Sequence, residues 1–146
     1  MSEMKLRPIQ IDEITQLRHE FRLETTGRSP FRHTLIARFI GEYRDGSSGH
    51  PDAVFIAGML RMAVELWRPA GVVLDLSDLR YQWGDEMHWL LPPDVHGRKI
   101  AVVVGPKCAR AIATLLWGIN TTKEATEADF IFDNVVAAWE AVRDRG

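Results

Sequence analysis

The chain's one thiol, Cys108, stands in the run Gly105-Pro-Lys-Cys108, just ahead of a segment with helical spacing. A helix N-terminus and a neighbouring lysine both favour a thiolate, so the position suits a nucleophile. Nucleophilic catalysis also needs a base, and the five histidines (His19, His33, His50, His88 and His96) are scattered, none of them near Cys108 in sequence. The commoner role of a cysteine is that of a small buried apolar side chain, and the sequence favours that reading. With no second cysteine an intrachain disulfide is excluded, as expected of a chain that works in a reducing compartment.

Two carboxylates, Asp75 and Asp78, close the apolar run that begins at Gly71. Parallel sheets bind ligands at the carboxyl ends of their strands, so Asp75, Gly105 and Cys108 define a candidate small-ligand or catalytic pocket. The competing role for Asp75 is local, because aspartate readily accepts a backbone N–H within its own loop. His88 and His96 lie eight residues apart beside Asp85, Glu86 and Asp94, whereas a helix that holds a metal uses a closer spacing such as His-x-x-x-His. The run from Gly41 to Gly49 is rich in Gly and Ser but lacks both the Gly-Lys-Ser/Thr ending of a phosphate loop and the Gly-x-Gly-x-x-Gly of a dinucleotide fold. It reads as a solvated loop, and no metal or other cofactor is expected.

The remaining constellation is Tyr81, Trp83, Gly84, Asp85, Glu86 and Met87, with Trp89 close behind. Protein interfaces favour Trp, Tyr and Met at their centre, so this segment is the candidate partner-binding surface. The alternative is that the rings turn inward against a sheet. Charge supports a surface role. Residues 45–96 carry eight Asp/Glu against three Lys/Arg, while the flanking thirds are weakly positive and the whole chain is −2. A nucleic-acid binder would cluster Lys and Arg instead. An acidic middle third fits a protein partner with a basic face.

These residues must be positioned by elements that the patterning foretells. At 146 residues with 46% apolar and 26% charged side chains, the chain suits one folded domain. Ile11, Ile14 and Leu17 have helical spacing and predict a short helix within 6–18. Alternation of Phe21 and Leu23 with charged residues, turn residues at 27–30, and the run Leu35–Ile40 predict a β-hairpin. His50-Pro-Asp52 opens a helix to about Trp67, ended by Pro69, whose apolar residues occupy more than one stripe and predict a largely buried helix. The runs at Gly71–Leu76 and Lys99–Val104 read as buried parallel strands, with a weak helix at Asp85–Leu91 between them. A helix over Lys107–Trp117, a strand at Phe130–Phe132 and a last helix capped by Asp133 or Asn134 complete the order, with Val135, Val136, Trp139 and Val142 on the last helix's apolar face. The fold class is therefore α/β: a mixed, mostly parallel sheet with alternating helices and an N-terminal β-hairpin.

Gly41-Glu42 closing one strand and Val72-Val-Leu-Asp-Leu-Ser-Asp-Leu79 forming the next resemble the STAS family, whose best-known members are the anti-sigma-factor antagonists of bacteria. The Ala-rich closing helix after Asp133 is similar as well, and the resemblance covers residues 19–145, with 1–18 as an N-terminal extension. It implies a STAS-like domain over 19–146 acting as a non-enzymatic regulatory module that binds another protein. In phosphorylated members an Asp-Ser-x-Gly follows this strand and a kinase modifies its serine. Here the corresponding residues are Trp83-Gly84-Asp85-Glu86, so that switch is missing, and Asp85 and Glu86 place fixed carboxylates close to where a phosphoryl group would sit. The alternatives from other classes are a small-ligand binder or minor enzyme using Asp75, Gly105 and Cys108, and an immunity or antitoxin protein that blocks a basic toxin. The N-terminus has no apolar stretch of signal-peptide length, and Ala53–Trp67 is too short and charged to span a bilayer, so a cytoplasmic protein away from membranes is expected, with a homodimer open to it.

Overall fold

The computed structural model describes residues 3–26 and 33–143, and the turn expected at 27–30 lies outside them. In chain order the elements are β1 (Arg18–Glu24), β2 (Thr34–Glu42), α1 (His50–Trp67), β3 (Gly71–Leu76), the two-residue β4 (Leu79–Arg80), β5 (Lys99–Val104), α2 (Ala109–Trp117), β6 (Ile131–Phe132) and α3 (Val135–Val142). Short 3-10 turns occupy Gly46–Gly49, Asp85–Leu90 and Ala125–Glu127. The sheet runs β1-β2-β3-β5-β6, and β4 pairs with the end of β2. Only β1 and β2 are antiparallel, with Phe21 opposite Ala37 and Leu23 opposite Leu35. The pairs β2–β3, β2–β4, β3–β5 and β5–β6 are parallel, so the sheet is mixed and mostly parallel as the patterning predicts.

Every residue of β3 is buried, because the strand has a partner on each side and cover on both faces. Val72, Leu74 and Leu76 point with Val102, Val104, Leu35 and Phe39 into the main core, shared with Phe55, Ile56 and Leu60 of α1 and Ile112 of α2. Val73, Ala101 and Val103 point the other way, onto Ala138 and Val142 of α3. Ile100, expected to be buried, is only half-buried near the start of β5. On the α3 side of the hairpin, Arg18, Glu20, Arg22 and Glu24 lie opposite Ile40, Arg38, Ile36 and Thr34, a largely charged face.

Several expectations need correction. The helix within 6–18 is not formed: residues 11–14 make a turn, and of Ile11, Ile14 and Leu17 only Leu17 is buried. A helix that short is marginal unless packed, and here the segment is held by side chains. Asp52, wholly buried in the first turn of α1, accepts from Thr15 Oγ1 at 2.6 Å and from Arg44 N and Nη2 at 2.8 and 2.9 Å, while Arg44 Nη2 also donates to the Ile14 carbonyl at 3.0 Å. Helix α1 is not buried all round, since Val54, Met62, Leu66 and Trp67 face solvent and the core takes only the opposite side. Asp85–Leu90 is a 3-10 turn rather than an α-helix, because Met87 and Leu90 are the buried pair and a three-residue repeat puts both inward. Helix α2 begins at Ala109, and Val136 of α3 is exposed, leaving Val135, Ala138, Trp139 and Val142 against the sheet. Asn134 supplies the last cap, its Oδ1 accepting from Ala137 N at 2.8 Å.

Candidate interaction site

The acidic aromatic segment leaves β4 at Arg80 and is seated by its own buried members. Tyr81 is buried; its hydroxyl donates to the Gly84 carbonyl at 2.7 Å, and its ring meets Tyr43 edge-on at 5.1 Å. Burial, with a smaller push from Asp85, raises the Tyr81 phenol to about 12, so it stays a neutral donor. Burial first, then Tyr81, Asp52 and Glu86, pushes the Tyr43 phenol up as well. Met87 and Leu90 complete the anchoring from the 3-10 turn, entering the core beside α1.

The other members face outward. Trp83 is 62% and Trp89 77% exposed, although a large apolar ring is normally covered. Trp83 lies against Gly46, in the loop that precedes α1. Asp85 is exposed, and Glu86, partly exposed, stands 3.4 Å from His50 Nδ1. The inward and outward readings of the aromatics are thus divided between the residues: Tyr81 and Met87 turn in, and Trp83 and Trp89 turn out. Gly84 has φ +138, a backbone that side-chain-bearing residues rarely adopt, so this position is closed to a serine on conformational grounds as well as lacking a hydroxyl.

Asp75, Gly105 and Cys108 do not converge on one pocket. Asp75 opens onto the α3 side of the sheet, where its Oδ1 accepts from Ser77 N at 2.9 Å, the local bond expected of it. Cys108 lies in the main core on the opposite side, with Sγ donating to the Leu76 carbonyl at 3.4 Å. Burial pushes its thiol up, with a backbone hydrogen bond at Gly105 opposing and Asp75 adding to the rise. That is the reverse of what a helix N-terminus and Lys107 would suggest, because loss of water outweighs both. Gly105 serves close packing, since a Cβ there would fall 2.1 Å from the Ser77 carbonyl oxygen.

Among the described residues no three His, Cys, Asp or Glu side chains are grouped to hold a metal ion, and no helix is long and apolar enough to cross a membrane. Two arrangements of charged side chains escape a reading of the sequence. One is the Asp52–Arg44–Thr15 cluster, because Asp52 looks like an ordinary first-turn carboxylate. The other is Arg38, which bonds to Asp78 and stands 3.9 Å from Asp75 and 4.0 Å from Glu20. Its signal was a lone charge inside the apolar run Leu35–Ile40. No family model matches the chain, and no curated protein matches its sequence.

Proposed function

We propose that the protein is a non-enzymatic regulatory module of STAS type, which binds a protein partner with a basic face through Trp83, Asp85, Glu86 and Trp89. The observation that carries this reading is a pair of exposed indoles in a segment whose residues Tyr81, Met87 and Leu90 are locked into the core. Such a turn presents large rigid anchors at little ordering cost, and Trp is a common source of interface energy. Asp85 and Glu86 supply the negative rim that steers a basic surface and fixes its register. With Gly84 in place of a phosphorylatable serine, binding is constitutive rather than gated there.

The test is affinity capture from the native host with the wild type and two variants, Trp83→Ala/Trp89→Ala and Asp85→Asn/Glu86→Gln, followed by affinity measurement on the captured protein. The carboxylate pair is expected to contribute about 2–5 kcal/mol to binding, against about 0.3–1 kcal/mol each to folding. Binding of the carboxylate variant should therefore weaken strongly and lose much of the wild type's salt dependence, while the melting temperature barely moves. Unchanged affinity in both variants would remove this surface from the function.

A further inference from the structure

We propose that the free edge of β1 joins a second copy of this chain, β1 against β1 in antiparallel register centred on Phe21, so that two sheets become one. This does not rest on the Trp83–Trp89 reading.

Strand β1 ends the sheet, and among the described residues no strand pairs with its outer side. Its register with β2 is unbroken over seven residues, with no proline and no bulge, the devices that often spoil an edge for pairing. The direction of its backbone groups follows from β2. The His33 carbonyl accepts from Ala70 N at 2.9 Å, and Gly41 N and Tyr43 N donate to the Asp78 and Arg80 carbonyls at 3.2 and 2.8 Å. From His33 to Tyr43, odd-numbered residues thus direct their backbone groups towards β3 and β4, and even-numbered ones towards β1. The residues opposite the even ones, Arg18, Glu20, Arg22 and Glu24, make the bonds to β2. His19, Phe21 and Leu23 are left with N–H and C=O on the free edge.

The charges select what this edge accepts. Arg18-His-Glu-Phe-Arg-Leu-Glu24 alternates in sign along its α3 side. Paired with itself about Phe21, the strand sets Arg18 opposite Glu24 and Glu20 opposite Arg22, each pair occurring twice. His19, Phe21 and Leu23 then fall at the hydrogen-bonded positions that their edge-facing groups require. The charged pairs fall between them, where side chains of facing strands stand closest. Centring the pair on Glu20 or on Arg22 instead sets like charges opposite each other. The pairing of Arg22 with Glu20, already present within one chain, continues across the two-fold. On the α1 side Phe21, half-buried in the single chain, meets Phe21 of the second copy. Backbone bonds and this ring contact supply the attraction. Exposed ion pairs add little to affinity, so the charges serve chiefly to fix the register.

The test is sedimentation velocity of the full chain over a range of concentrations, with circular dichroism to follow folding. The wild type should dimerise. Arg22→Glu and Glu20→Arg each set like charges opposite one another at both 20–22 contacts, and each should weaken self-association about tenfold or more. Mixed together, the two variants restore opposite signs at both contacts and should form a heterodimer, which a mere loss of folding would not allow. His19→Pro is the second arm: it removes an edge N–H while sparing the bonds to β2 and the four charges, and should also weaken the dimer. A wild type that stays monomeric at every concentration, a dimer undiminished by the reversals or by His19→Pro, or folded variants that fail to associate on mixing would overturn the proposal.

Discussion

Gly46 lies against the Trp83 indole so closely that a Cβ added to it would stand 2.6 Å from the ring, and the Gly46 N–H donates to the Trp83 carbonyl at 3.3 Å. Gly46 also has φ +60, so an alanine there meets backbone strain and a collision together. Gly46→Ala should lower stability by about 1–3 kcal/mol. It should also displace the Trp83 ring, read as a change in native tryptophan emission alongside the denaturation midpoint. An unchanged emission spectrum would mean that the ring is not held by this contact.

Placing a serine at position 84, where the proposed STAS-type reading would have its switch, should fail structurally. Gly84→Ser forces a side chain onto φ +138 and brings its Cβ to 3.3 Å from the Gly46 carbonyl oxygen. The expected cost is about 1–3 kcal/mol, with no phosphate incorporated by a kinase of the STAS type. Mass spectrometry after incubation with such a kinase checks this, and efficient phosphorylation would show a loop looser than the contacts indicate.

Asp52 should make stability depend on acid. Burial opposes its charge, but hydrogen bonds from the Arg44 side chain, Thr15 and the Arg44 backbone outweigh it and hold the carboxyl below its ordinary value. A folded pKa below the unfolded one gives stability that is fully present above the ordinary carboxylate pKa of about 3.9 and is lost as pH falls through the folded value. Asp52→Asn should lose that acid-side slope. Asp52→Ala should cost near the low end of about 3–5 kcal/mol, since the Arg44 side chain is 42% exposed and water can rescue it. Urea denaturation across the acid range measures both, and proteolysis should reach the unpinned residues 3–16 sooner.

Cys108 should behave as a core residue. In native conditions a thiol reagent should modify it only as fast as the chain opens, because it is 1% exposed and burial holds it protonated. Cys108→Ala should cost about 1 kcal/mol, as removal of one small buried group does, and leave partner binding intact. Rapid native-state labelling would contradict the burial.

The class of fold was legible because the runs at Gly71–Leu76 and Lys99–Val104 are continuous and apolar, which only strands covered on both faces sustain. The hairpin was legible from the alternation at Phe21 and Leu23. What failed was context. The spacing of Ile11, Ile14 and Leu17 mimics a helix, yet the segment follows the side chains of Asp52 and Arg44, residues distant in sequence. In α1, pattern alone could not say that Val54, Met62 and Leu66 lack cover, since apolar letters do not reveal which neighbours are present. At the candidate site the segment 81–89 stood out by composition, but the division into anchors and outward rings depended on contacts distant in sequence, Tyr81 on Tyr43 and Trp83 on Gly46, and on the 3-10 turn that carries Met87 inward.

The one-sided cover of the hairpin has a consequence for how this sequence can change. Helix α3 lies over β3, β5 and β6, and the outer residues of β1 are largely charged and at least partly exposed. In β3 almost any replacement must fit two packed faces at once, so its letters are held fast. On β1, Arg18, Glu20, Arg22 and Glu24 answer within one chain to a single neighbour strand and to solvent, and exchanges there cost the fold no more than the small effects typical of surface positions. The outer face of β1 is therefore the part of this molecule that the fold leaves free to drift, able to acquire a new charge pattern while the architecture beneath it stays the same.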